Sequence, residues 1–181
     1  MSAGAAVSIL ETFDDATDGP AFDEDKHREV RGLARLVQVS SSATLVDLTL
    51  RGVAPGTYRA TIREYGDLKR GATSTGPVWR GGGDDNTSGS PKGFVGTVVV
   101  GADGRGNAFL DRPFLIWEVI GHAMVVSRQE DDGTPLSNDG NTVVGIVARS
   151  AGVWDNDKTV CSCTGKTLWE ERKDEVKKGM L

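Results

Sequence analysis

Short apolar stretches recur along this chain between turn residues, and most repeat with the two-residue period of a strand. Residues 5–13 (AAVSILETF) form a first run with β-branched members, and residues 29–39 (EVRGLARLVQV) alternate roughly. Residues 43–50 (ATLVDLTL) alternate cleanly, with Val46, Leu48 and Leu50 set against Leu45, Asp47 and Thr49. The turn GVAPG at 52–56 sends the chain back as a strand over 57–63. Residues 94–100 (FVGTVVV) and 107–110 flank a glycine-rich turn at 101–106. Residues 114–126 (FLIWEVIGHAMVV) read as an apolar strand with Gly121 at its centre. Residues 143–148 (VVGIVA) are a near-continuous apolar run, suited to burial on both faces.

The pattern fails over residues 14–28, an acidic loop, and over residues 64–93, which hold glycine, serine, threonine and charge. A loop as long as the second is uncommon in a compact domain. The character changes again after residue 149. A polar, glycine-bearing stretch leads to Cys161 and Cys163, and residues 167–178 (TLWEERKDEVKK) predict the one helix. Thr167 and Glu170 are spaced for a capping box, but the apolar face, Leu168, Trp169 and Val176, is thin. The tail after about residue 155 is therefore expected to be mobile unless a partner or metal orders it. The fold class is all-β: seven or eight short antiparallel strands closed as a Greek-key barrel or sandwich. Residues 1–152 are expected to form that domain and residues 153–181 a separate C-terminal segment.

Composition narrows the function. The 181 residues suffice for one well-buried domain. A net charge of −5 disfavours nucleic acid as partner, and no apolar stretch is long enough to span a membrane. Residues 1–6 lack the basic flank and apolar run of a signal peptide, so none is expected. The glycine run at 81–83 lacks the lysine and helix of a phosphate loop, which discards nucleotide binding. His27 and His122 are the only histidines, and Cys161 and Cys163 the only cysteines. These counts exclude a multi-histidine metal cage and a disulfide framework. His27 lies in the acidic loop and reads as solvated; His122 reads as a structural or interface residue.

The run LTLRGVAPGTYRATIREYGDL, the pieces GATSTGPVW and VIGHAMVVS, and the strand VVGIVA resemble the copper–zinc superoxide dismutase fold across residues 5–150. The closing run ARSAGVWDNDKTVCSCTGKTLWEER is similar to the C-terminal part of the copper chaperones for superoxide dismutase, in their fungal form. The departures from the dismutase point the same way. Against the enzyme's His-x-His strand stand Thr61 and Arg63; Val78 takes the bridging histidine's place and Ser127 that of the last copper histidine. Ala72 and about Asn141 align with the enzyme's disulfide cysteines. Imidazole nitrogen is what holds Cu(II) and zinc in such sites, so no zinc is expected in the barrel and no dismutase activity. The resemblance also implies an N-terminal Met-x-Cys-x-x-Cys domain that these residues lack. The simplest reading is a chain from which that domain has been omitted, with a natural form lacking it as the alternative.

Two thiolates two residues apart make a soft, low-coordinate site that favours Cu(I). In an extended strand Cys161 and Cys163 would face the same way with Cα atoms about 6.6 Å apart. That is near the upper end of the usual disulfide span of about 4.4–6.8 Å. Such a bond is strained and easily exchanged, so the pair suits transfer of either Cu(I) or a disulfide. The resemblance implies docking to immature superoxide dismutase as a heterodimer, transient Cu(I) binding, and promotion of the client's internal disulfide. Cys161 and Cys163 are then both the metal ligands and the reactive thiols. Arg149, Gly152 and Trp154 are assigned to the interface, and Arg149 with His122 to an anion pocket. A homodimer in the absence of client is left open. The resemblance implies a cytoplasmic location, with a second pool in the mitochondrial intermembrane space. The alternative is a docking module whose cysteines are incidental.

Overall fold

The computed structural model describes residues 4–13, 28–82 and 90–150. The chain divides into two units, Met1–Ser150 and Ala151–Leu181. The second unit, with the expected helix and mobile tail, lies outside the described residues, as does His27.

Nine strands are present among the described residues: β1 (Ala5–Thr12), β2 (Val30–Gln38), β3 (Thr44–Arg51), β4 (Gly56–Ile62), β5 (Phe94–Val100), β6 (Arg105–Arg112), β7 (Ala123–Ser127), β8 (Val143–Ile146) and β9 (Ala148–Ser150). Every pairing is antiparallel, in the order β5-β4-β7-β8-β1-β2-β3-β6, and β9 lies on β1. The two ends of that order, β5 and β6, are consecutive strands. A tight turn joins them, with the Gly101 N–H donating to the Arg105 carbonyl at 2.9 Å. The sheet therefore curls into a nearly closed barrel. Strands β4, β5 and β6 follow one another and β7 returns beside β4, which is the Greek-key connection.

The alternation read along β3 is the one that builds the interior: Val46, Leu48 and Leu50 are fully buried. They meet Leu36, Tyr58, Ile62, Val98, Met124 and Val126 in one core. Strand β7 is buried on both faces, because a second cluster covers its outer side. There Ala123 and Val125 pack with Phe13, Ala72, Leu136 and Val144. Ala72 and Leu136 come from the segments 64–82 and 128–142 that connect the strands. This corrects the expectation of a featureless 64–93 loop. Its first part holds a 3-10 turn at Gly71–Ser74 and buries Ala72, Thr75, Val78 and Trp79. Its glycines and threonines serve close packing, a use that periodicity does not reveal.

Two further expectations change. Residues 114–126 are not one strand: a helical turn, α1 (Ile116–Val119), precedes β7. The Leu115 N–H donates to the Glu118 carboxylate at 2.7 Å and fixes its start. The apolar run at 143–148 is split after Ile146, where the chain passes from β8 to β9.

Strand β8 lies so close to β1 that a Cβ at Gly145 would overlap the Ile9 carbonyl. Gly145→Ala is therefore expected to cost about 1–3 kcal/mol in urea unfolding, as overpacking does. Gly140→Ala, at a position with open space around it, serves as the control.

Candidate functional site

Strand β4 ends at Ile62, and the next residue bridges to Val78 across the 64–82 segment. That residue is Arg63, and it is 2% exposed. Its guanidinium fills the space behind β4. Nε donates to the Gly76 carbonyl at 2.9 Å, and Nη1 to Thr61 Oγ1 at 3.5 Å. Nη2 reaches Asp131 Oδ1 at 3.5 Å, and Nη1 stands 3.4 Å from Asp131 Oδ2. Burial pushes the Arg63 pKa down, and the Asp131 carboxylate opposes that shift. One cation thus ties together β4, the 64–82 segment and the 128–142 segment.

Thr61 and Val78 sit beside it, whereas Ser127 pairs with Arg59, farther back along β4. Thr61 is paired with Val125 on β7, and Ser127, two residues on, shares a hydrogen bond with Thr142 at 2.9 Å. Val78 is buried beside Arg63. The donor set does not fit a resident copper or zinc: its members are a guanidinium, two hydroxyls and an aliphatic side chain. Among the described residues no group of three or more histidine, cysteine, aspartate or glutamate side chains gathers anywhere.

At Ala72, where the resemblance puts one of the enzyme's disulfide cysteines, an amide does the tethering. Asn138 Oδ1 accepts the Ala72 N–H at 2.8 Å, and Nδ2 donates to the Arg70 carbonyl at 3.0 Å. Asn141 instead accepts the Ala54 N–H at 2.8 Å, near the Tyr58 hydroxyl. The sequence points to neither role, because each contact joins residues far apart along the chain.

His122 lies between α1 and β7. The Arg63 carbonyl accepts from its Nδ1–H at 2.7 Å, and its ring stands 5.5 Å from that of Trp79, tilted by 53°. Arg149 is exposed on β9, opposite Ala6 of β1. Among the described residues no hydrogen bond or ion pair joins Arg149 to His122. They are linked through backbone alone: the Val147 N–H donates to the His122 carbonyl at 2.9 Å. Gly152, Trp154, Cys161 and Cys163 lie outside the described residues.

Beside His122 is an edge that periodicity did not mark. Gly66 packs so tightly on Gly121 that a Cβ at Gly66 would overlap the Gly121 carbonyl and would meet Ile146. Tyr65 lies over Gly76 yet is 57% exposed. Gly121 is exposed and is hydrogen-bonded to Val147, two residues from Arg149. The result is a low, largely apolar surface running from Tyr65 toward β9.

The sequence model of the copper/zinc superoxide dismutase family matches residues 30–148. The superoxide dismutase 1 copper chaperone of Saccharomyces cerevisiae is 43% identical over 173 residues, which cover 94% of this chain and 66% of that protein. The one from Debaryomyces hansenii is 37% identical, over 97% of this chain and 69% of its own. The copper chaperone for superoxide dismutase of Homo sapiens is 36% identical, over 93% and 62%. The chain spans about two thirds of the length of these curated relatives. Among solved structures, the crystal structure of the clock protein EA4 superposes with a TM-score of 0.58 over 82% of this chain and 96% of that one. At 21% identity that likeness shows the fold alone.

Removing one partner of the buried pair leaves a charge without compensation. Asp131→Ala is therefore expected to destabilise by about 3 kcal/mol, and Arg63→Met by less, measured by urea unfolding. Asp132 tests the same segment by pH. Hydrogen bonds from the Thr134 hydroxyl and N–H hold its carboxyl below the ordinary 3.8. Their contribution is present above the unfolded pKa and is lost as pH falls through the lower folded value. Amide exchange at residues 131–134 is expected to accelerate only below about pH 4.

Proposed function

The chain belongs to the copper chaperones for superoxide dismutase, within the copper/zinc superoxide dismutase family, and from that membership we propose that it docks to an immature dismutase, delivers Cu(I) and promotes formation of the client's internal disulfide. One observation carries this reading. A likeness covering 94% of the chain must cross Cys161 and Cys163 wherever it begins, whereas the dismutase family match ends at residue 148. The part of the chain shared with chaperones beyond the barrel is the part that holds both thiols.

In this proposal the barrel, residues 1–152, docks and the segment 153–181 reacts. Arg149, Gly152 and Trp154 lie at the client interface, and the surface formed by Tyr65, Gly66 and Gly121 contributes to it. Tryptophan is a frequent anchor at such surfaces. The pairing is a heterodimer with the client; whether the chain pairs with itself when the client is absent stays open. Arg149 and His122 together are assigned to an anion pocket at that edge, with the Arg149 guanidinium as its charge. Cys161 and Cys163 carry Cu(I) transiently as soft thiolate ligands. When oxidised to each other they exchange with the client: a client thiolate attacks one sulfur, and the second client thiolate resolves the mixed disulfide. The client then holds the disulfide, the chaperone pair is reduced, and dioxygen re-oxidises it. Copper reaching the thiols from solution or from a further domain fits equally well. The cytoplasm and the mitochondrial intermembrane space are the compartments proposed. No helix among the described residues is long and apolar enough to cross a membrane.

The test mixes the purified chain with metal-free, disulfide-reduced dismutase, Cu(I) and oxygen, and follows complex size, client disulfide and client activity together. Cys161→Ser/Cys163→Ser is expected to keep the complex and to lose both the disulfide and the activity. Full activation by the double variant would defeat the transfer chemistry and leave a docking module. Tyr65→Asp is expected to weaken the complex at least tenfold by placing a charge in the apolar surface, with the barrel's unfolding unchanged.

A further inference from the structure

Strands β2, β3 and β6 each carry an arginine at one level near one end of the barrel. Arg51 and Arg105 are directly opposite across β3 and β6. Arg31 follows one residue beyond the Gly32–Leu50 pair of β2 and β3. Like charges facing each other across strands repel, so the arrangement costs stability unless something neutralises it. It also stands out in a chain of net charge −5.

The carboxylates nearby supply that neutralisation only in part. The three arginines line an open depression of about 670 Å³ together with Glu29, Val30, Gly52 and Asp103. Glu29 is ion-paired to Arg31. Asp103 accepts the Arg105 N–H at 3.1 Å, closing the β5–β6 turn. Among the described residues the guanidinium groups of Arg51 and Arg105 have no hydrogen-bond or ion-pair partner. Arg31 donates from Nη1 to the Gly52 carbonyl and from Nη2 to Glu29, which pins the side chain over the Gly52 turn. Its Nε is buried and unpartnered. A buried N–H donor without an acceptor is costly, and it adds to the uncompensated positive charge of the two free guanidinium forks beside it.

We propose that this end of the barrel binds a small tetrahedral oxyanion of the phosphate or sulfate class. Planar guanidinium groups match two oxygens of such an ion at once, and the free forks of Arg51 and Arg105, facing each other across β3 and β6, recognise charge and shape together. The anion relieves the repulsion along β2, β3 and β6. Its source is either the free inorganic ion or a phosphomonoester. The site involves none of the residues assigned to client docking or to the thiol chemistry, so it stands or falls independently of them.

The test uses the whole chain without client. Sodium phosphate is titrated at constant ionic strength against sodium chloride, and backbone and arginine Nε resonances are followed by NMR. Saturable shifts confined to Arg31, Arg51, Gly52 and Arg105 are expected with phosphate and not with chloride. Arg51→Ala/Arg105→Ala is expected to weaken binding at least tenfold with an unchanged far-UV spectrum. Because both side chains are exposed, the fold should tolerate it, and Arg51→Ala alone gives a second, milder reading. A parallel titration with adenosine 5′-monophosphate separates the sources: tighter binding than inorganic phosphate assigns a phosphomonoester, equal or weaker binding the free ion. Shifts that fail to saturate, that chloride reproduces, or that survive the double variant would overturn the proposal.

Discussion

A single buried cation holds the irregular half of this molecule to its regular half. The Arg63 guanidinium leaves β4, meets the Gly76 carbonyl on one connecting segment and Asp131 on the other, and is almost wholly removed from water. Neither connection is long on secondary structure, and neither would cover β7 and β8 by local preference. Burying a charge is unfavourable unless it is paired and hydrogen-bonded, so Arg63 forces both segments to close over it. Their closure then places Ala72 and Leu136 on the outer side of β7, which becomes buried on both faces.

The barrel and its cover therefore rest on different physics. Inside, Val46, Leu48, Leu50 and their neighbours are held by apolar burial that any well-alternated strand set supplies. Outside, the cover is held by polar contacts of long sequence separation: Arg63 with Asp131, and Asn138 with the backbone of Arg70 and Ala72. In the dismutase pattern those places belong to metal ligands and a disulfide. Here an ion pair and an amide occupy them. The cover is thus tied to the barrel by side chains of the chain itself.

Alternation made the barrel legible in the sequence. The period of two along β3, and the apolar runs of β5 and β8, came from side chains that decide burial by themselves. The helical turn α1 was hidden because Ile116, Trp117 and Val119 look the same in a strand as in a turn of helix. The 64–82 segment was hidden because glycine and threonine carry no periodic signal even when they pack closely. Of the site, the aligned positions Thr61, Arg63, Val78 and Ser127 were legible as replacements, and the structure brings Thr61 and Val78 to Arg63 while Ser127 bonds to Thr142. What Arg63 does there was not, since its partner Asp131 is a loop aspartate with no local mark. The Tyr65–Gly66–Gly121 surface escaped notice for a related reason: it is defined by the absence of side chains at two glycines.

The Arg63–Asp131 pair also bears on what position 63 can become. A histidine placed there would strand Asp131 without its cation and would find no second imidazole at position 61, 78 or 127 to share a metal. A buried guanidinium is a fixed cation, so the pair acts as a built-in counter-ion: it gives Asp131 the positive charge that a bound metal would otherwise supply.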